Sequence, residues 1–177
     1  MIKYAITDPS FFNPYNPYLY FKTLKADFVL FRDKNSQNYK KDATVFINNA
    51  KDYSFKKIIH QDYKLAKELN ASGVHLTSKQ FEDIKKAKEL SLFTIISTHS
   101  LEEIKKAKEL QADAVTFSPI FKTPNKGEPK GLKELEEALK IDIKIIALGG
   151  IVTKEHIELI KKLNPYGFAS IRYFASY

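Results

Sequence analysis

Cysteine is absent from the 177 residues. That excludes disulfides, thiolate metal sites and a cysteine nucleophile, and it fits a reducing compartment. Arginine is almost absent. Of 29 basic residues only two, Arg32 and Arg172, are arginines, so no arginine-rich tract exists. No apolar run approaches the roughly 18 residues of a membrane span. The start, "MIKYAITDPS", reaches Asp8 too early for the apolar core of a signal peptide. The expectation is a soluble, cytoplasmic protein with no membrane partner.

What is present is a chain 44% hydrophobic, long enough for a core of ordinary size in a single domain spanning residues 1–177. The net charge is 29 − 21 = +8. A basic chain can bind nucleic acid. Here, however, the lysines alternate with glutamates on helical faces, as in "EDIKKAKEL" and "EEIKKAKEL". Small anionic ligands are therefore the expected partners, and nucleic acid is not.

The string "IKKAKEL" occurs at 84–90 and again at 104–110, each copy followed by a short apolar run. Such repetition points to a helix–strand unit used many times. Eight strands are expected at Lys3–Thr7, Phe28–Arg32, Lys57–His60, Gly73–Leu76, Phe93–Ser97, Ala114–Ser118, Lys144–Leu148 and Gly167–Ile171. They are short, apolar and rich in β-branched or aromatic residues, as buried parallel strands are. Helical patterns separate them. Leu101, Ile104, Ala107 and Leu110 share one face of a helix over 100–111, opened by a capping box of Ser100 and Glu103, and Thr153 opens another over 153–163. This alternation implies an α/β fold, with eight strands closing as a (β/α)8 barrel. A doubly wound open sheet is the competing fold. Only six residues follow Ile171, so the last helix is expected to be missing, with a homodimer or another covering element expected over that flank.

In a barrel the site lies at the C-terminal ends of the strands. Both arginines fall there, Arg32 after strand two and Arg172 after strand eight, about two strands apart on one rim. Arginine suits bidentate binding of phosphate or carboxylate. Gly149-Gly150 joins strand seven to the helix near Thr153, where a phosphate can approach the backbone. The loop "SPIFKTPNKGEPKG" over 118–131 is long for a strand-to-helix connection and reads as a lid or binding loop. His60 and His99 stand at strand ends as acid–base candidates. His75, inside "GVHL", reads as a barrel-interior or packing histidine, and His156 as a surface residue of a helix. No H-x-H, H-E-x-x-H or carboxylate cluster suggests a metal.

In chain order, "ITD" at 6–8, "FRDK" at 31–34, "LAKELNASGVHL" at 65–76, "STHSLEEIKKA" at 97–107, "SPIFKTPNK" at 118–126 and "ALGGI" at 147–151 resemble the motifs of the thiamine phosphate synthase / thiazole tautomerase family. The resemblance implies a (β/α)8 barrel, a role in thiamine biosynthesis and a small thiazole phosphate ligand. It implies two activities. The synthase joins a pyrimidine methyl pyrophosphate to thiazole phosphate, with Mg²⁺ on the pyrophosphate. Its Gln-x-Arg-x-Lys motif is matched by Arg32 and Lys34, with Leu30 in place of the glutamine. Its Asn-Asp after strand three is His60-Gln61 here, and its second metal Asp after strand four falls in Thr77-Ser78-Lys79-Gln80. Its loop motif is matched by Thr123, Asn125 and Lys126.

The tautomerase isomerises a dihydrothiazole carboxylate phosphate and needs a base and an anion clamp, with no cofactor. Its Ser-x-His-Ser motif is matched by Ser97-Thr98-His99-Ser100. The leading expectation is a metal-independent isomerase with His99 as its acid–base group. Arg32, Lys34, His60, Ser97, Thr98, Ser118, Thr123, Lys126, Gly149, Gly150 and Arg172 are then expected to bind substrate and phosphate. The synthase, with Mg²⁺ as its cofactor, is the alternative. A non-catalytic binder of thiazole phosphate or of a sugar-phosphate-like ligand is the third reading, and a nucleic-acid binder the last.

Overall fold

A computed structural model describes residues 1–124 and 126–175. Eight parallel strands alternate with eight helices: β1 Ile2–Ile6, α1 Tyr18–Thr23, β2 Phe28–Phe31, α2 Tyr39–Ala50, β3 Lys56–His60, α3 Tyr63–Glu68, β4 Gly73–Leu76, α4 Asp83–Glu89, β5 Phe93–Thr98, α5 Leu101–Glu109, β6 Ala114–Phe117, α6 Gly131–Ala138, β7 Lys144–Leu148, α7 Lys154–Lys161, β8 Gly167–Ser170 and α8 Arg172–Ala175. The sheet closes β1-β2-β3-β4-β5-β6-β7-β8 and back to β1. This is the (β/α)8 barrel, and the open doubly wound sheet is excluded. Observed strand ends differ from the expected ones by no more than one residue.

Side chains on a strand alternate between faces, and the buried residues divide accordingly. Tyr4, Ile6, Phe28, Leu30, Ile58, Ile95, Ala114, Ile146 and Ala169 form the cluster inside the barrel. Their strand neighbours Ala5, Val29, Phe31, Ile59, Ile96, Val115, Ala147 and Phe168 belong to the larger cluster under the helices. Across β2 and α2, Phe31 and Phe46 stack at 5.2 Å, with Phe12 and Phe21 edge-on to Phe46.

The 20-residue repeat has a physical meaning. Each copy buries Ile and Ala on one face (Ile84 with Ala87, Ile104 with Ala107). Each then ends in a left-handed residue: Ser91 at φ 60° and Gln111 at φ 64°. The next amide reaches back to close the turn, Leu92 N–H to Ala87 O at 3.2 Å and Ala112 N–H to Ala107 O at 3.0 Å. This six-to-one closure is a Schellman turn, which ends a helix and redirects the chain. Asn70 after α3, at φ 51°, closes in the same way through Ala71 N–H to Ala66 O.

One expectation is corrected. The last helix is not missing but short: α8 covers four residues. Its buried Phe174 stacks on Phe168 of β8 at 5.8 Å, so part of the flank is covered from within the chain. Four residues are too few to show a helical period, so the sequence pattern hid it.

Phe46→Ala removes a fully buried ring from the centre of the aromatic cluster. It should lower unfolding stability by about 3–5 kcal/mol, read as a shifted urea midpoint at unchanged slope.

Candidate active site

At the C-terminal rim the strand ends enclose a cavity of about 550 Å³. Its floor includes the inward side chains Leu30, His75, Ser97 and Leu148. Eleven of the twelve expected site residues line it: Arg32, Lys34, His60, Ser97, His99, Ser118, Thr123, Lys126, Gly149, Gly150 and Arg172. Thr98 does not. It follows Ser97 on β5 and so faces the other way, fully buried, with its hydroxyl donating to Thr116 O at 3.0 Å. Asn125 lies outside the described residues.

One wall is cationic. Thr7 clamps the backbone of Arg32: its Oγ1 accepts from Arg32 N–H at 2.9 Å and donates to Arg32 O at 3.3 Å. Asp8 Oδ2 stands 3.9 Å from Arg32 Nη1. The Lys34 ammonium has its pKa pushed down, first by the charge of Arg32, then by burial and by Lys126. The positive charges of Arg32 and Lys126 both act on Lys34, and a bound anion would relieve that repulsion.

His60 sits beside them. Its backbone N–H donates to Tyr39 Oη at 3.0 Å, and that hydroxyl donates to Phe31 O at 2.8 Å. Tyr39 thus ties the ends of β2 and β3 together. Burial, then the charges of Arg32 and Lys34, lower the His60 pKa to about 4. Its ring is neutral at physiological pH, a polar wall beside the cations.

His99 is held at two points. Its backbone N–H donates to the Glu103 carboxylate. Glu103 N–H in turn donates to Ser100 Oγ at 3.1 Å, which is the expected cap. The reciprocal arm of the capping box therefore serves His99 and not Ser100. The ring Nδ1 is 3.0 Å from Ser118 O. A carbonyl only accepts, so Nδ1 carries the hydrogen and Nε2 is the basic nitrogen.

The 118–131 loop is fastened at its base. Ile120 and Phe121 N–H donate to Leu148 O and Gly149 O at 2.9 and 3.0 Å, and Lys130 N–H closes on Pro119 O at 2.9 Å. Gly149 and Gly150 adopt φ 98° and 69°. A Cβ on Gly149 would lie 2.7 Å from Pro119 Cα, and one on Gly150 would lie 2.6 Å from the Phe121 backbone. Loop packing alone therefore requires both glycines. His156 stacks on Phe121 at 4.3 Å, so it is a half-buried support of this loop and not the surface residue expected. At the β8 end, Ser170 Oγ donates to Ile151 O at 2.7 Å and accepts from Tyr173 N–H at 3.1 Å, joining the glycine turn to α8 and Arg172.

Among the cavity-wall residues not expected as ligand contacts are Asp8, Phe11, His75, Thr77, Ser78 and Ser170. His75 was placed in the barrel interior correctly. Strand parity was the signal that it also reaches the floor, since it shares inward register with His60.

The residues do not fit the Mg²⁺ that the resemblance implies for a synthase. Among the described residues no three His, Asp or Glu side chains group as a metal site. Asp8 is the carboxylate on the cavity wall, and it faces Arg32. Asp62 caps α3 by accepting from Leu65 N–H at 2.8 Å. Asp83 is held by Lys86 and by Gln80, whose amide also binds Thr77 and Gln61.

Comparison with known proteins places this geometry among relatives. A family model described as thiamine monophosphate synthase matches residues 4–173. The chain is 38% identical over 128 residues to a protein of Aquifex aeolicus named "Putative thiamine-phosphate synthase 2", covering 70% of this chain and 68% of that one. It is 28% identical over 144 residues to the thiamine-phosphate synthase of Persephonella marina, covering 77% and 68%. The solved thiamine phosphate pyrophosphorylase of Pyrococcus furiosus shares the fold with a TM-score of 0.83 at 24% identity, covering 96% and 85%. These names favour the transferase over the isomerase that the His99 motif put first. Among the described residues no helix is long and apolar enough to cross a membrane.

Two outcomes follow from this geometry. The folded-state pKa of His60 lies below its usual 6.5, so the unfolded chain binds more protons between those values. Stability should therefore fall as pH drops from about 6.5 towards 4, by on the order of 3 kcal/mol from His60, and His60→Asn should remove that share of the slope in denaturation series and leave the share of the buried His75, whose pKa is also lowered. Gly150→Ala should cost about 1–3 kcal/mol through its left-handed backbone and loosen the loop, measured as faster proteolytic cleavage within 121–130.

Proposed function

The chain belongs to the thiamine monophosphate synthase family, and from that premise we propose that it is a thiamine-biosynthesis enzyme that joins a phosphorylated thiazole to a pyrimidine methyl pyrophosphate. The observation that carries this reading is the meeting of Arg32, Lys34 and Lys126 on one cavity wall. In the joining reaction the thiazole nitrogen attacks the methylene carbon, the bond from that carbon to the pyrophosphate oxygen breaks, and the leaving oxygen gains negative charge. Fixed cations stabilise that charge as it develops. The thiazole phosphate has a second cationic end available, at Gly149, Gly150 and Arg172. Its carboxylate-poor wall does not fit Mg²⁺, so no step is assigned to a metal. The synthase names of the relatives support the same reaction.

A specific observation favours a second reading, proton transfer. With Nδ1–H held by Ser118 O, His99 presents one basic nitrogen at the cavity. Isomerising a dihydrothiazole carboxylate phosphate to the aromatic thiazole needs such a base and an anion clamp, both of which these residues supply.

The test is incubation with both synthase substrates, in Mg²⁺ and in EDTA, with the dihydrothiazole tautomer in a parallel sample. Thiamine phosphate should form, and Arg32→Ala or Lys34→Ala should lower kcat/KM by about 10²–10³-fold. Aromatisation without thiamine phosphate, lost in His99→Ala, would replace the transferase with the isomerase. Binding of thiazole phosphate with neither product would make the protein a non-catalytic binder.

A further inference from the structure

Two neighbouring phenylalanines on the loop between β1 and α1 have opposite surroundings. Phe12 is 6% exposed, and its ring packs on Tyr20, Phe21, Phe31 and Phe46 at 5.0, 5.6, 6.3 and 6.2 Å. Phe11 is 52% exposed and lines the mouth of the cavity, on a wall shared with Asp8, Arg32 and Arg172.

The loop that carries Phe11 is braced at several points. Asp8 O accepts from both Phe11 N–H and Phe12 N–H at 2.9 Å, and Asp8 Oδ1 accepts from Ser10 N–H at 3.0 Å. Farther along, Asn49 Nδ2 donates to Pro14 O at 2.9 Å, and Tyr15 Oη donates to Asp42 Oδ1 at 2.8 Å. Pro9, Pro14 and Pro17 each fix one backbone angle. With Phe12 sunk in the core next to it, Phe11 is presented at the cavity by a preformed backbone. A ligand that covers its ring has little loop ordering left to oppose it.

A lone apolar side chain on a surface needs no explanation. Tyr15, Tyr18 and Leu19 are also exposed on this segment, but they stand away from the cavity wall. Tyr15 is tied to Asp42, and Lys22 lies over the Tyr18 ring at 5.7 Å. Phe11 differs because its open face borders the space that a ligand fills. The cations of that space, Arg32, Lys34, Lys126 and Arg172, recognise phosphate charge and not the group that bears it. An aromatic face supplies the missing discrimination, since flat rings stack on it offset or edge-on.

We propose that Phe11 is a specificity-determining residue, a stacking face at the cavity mouth for the heteroaromatic ring of a phosphorylated ligand. The cations select the phosphate, and Phe11 selects the ring attached to it. That the ring is a pyrimidine or a thiazole rests on the function proposed above.

The chain has no tryptophan, so Phe11→Trp installs a sole reporter at this place. In EDTA it is titrated with thiazole phosphate, with a pyrimidine methyl pyrophosphate, and with pyrophosphate as the ring-free probe. Its emission should change saturably with at least one ring compound and stay constant with pyrophosphate. Calorimetry then compares the wild type with Phe11→Ala and Leu19→Ala. Phe11→Ala should weaken binding of that same ring compound about 3–10-fold and leave pyrophosphate binding unchanged, while Leu19→Ala changes neither. The compound that loses affinity identifies the ring. Wild-type affinity of Phe11→Ala for both ring compounds would overturn the proposal and leave the proposed function standing. An equal loss for pyrophosphate would assign Phe11 to support of the cationic wall and overturn the stacking face. Emission that follows protein concentration and ignores the ring compounds would give the Phe11 position to a second copy of the chain, with the same consequence. A wild type that binds neither ring compound would remove the proposed function and the stacking partner together.

Discussion

Closure of β8 onto β1 is the constraint on which everything above it depends. Ile2 pairs with Gly167, Lys3 with Phe168, Tyr4 with Ala169 and Ala5 with Ser170. The pairing is close enough that a Cβ on Gly167 would sit 2.3 Å from the Ile2 side chain. Once the ladder is closed, each strand has one face inside and one outside, and a one-residue slip would exchange them. That parity puts Tyr4, His75 and Ser97 on one line through the interior. It also sends Thr98, a single residue further on, into the packing under the helices. Closure brings the end of β8 beside β1, so that Arg172 and Arg32 open on one cavity.

That cavity is electrostatically one-sided. Arg32, Lys34, Lys126 and Arg172 line it, against the carboxylate of Asp8. The neighbouring acids are committed to the fold: Asp62 to a helix cap, Asp83 to Lys86 and Gln80, Glu103 to the backbone of His99. Such a wall attracts polyanions and repels divalent cations. The proposed transferase would therefore meet the charge of its leaving group with side chains. His60 and His75, both kept neutral by burial, add polarity without adding charge.

Much of this was legible in the residues themselves. β4 and β7 stand where apolar, β-branched runs placed them, and Ser100 and Thr153 cap their helices. The repeated "AKEL" was legible as a unit because its alanine, leucine and following left-handed residue do one job in each copy, ending a helix. The misses share a cause, which is distance between parts of the chain. Nothing local says that Gly149 packs against Pro119 or that His156 stacks on Phe121. α8 was too short to carry a period. The balance between isomerase and transferase turned on the names of the relatives, which no single residue of this chain carries.

The most direct test of this account is a crystal structure of the protein grown with thiazole phosphate and pyrophosphate in the presence of Mg²⁺. The account predicts pyrophosphate against Arg32, Lys34 and Lys126, held by those side chains with no carboxylate-bound metal. It places the thiazole phosphate at the Gly149–Gly150 turn and Arg172. Pyrophosphate bound through a magnesium ion on protein carboxylates, or anions lying outside the cavity, would contradict it.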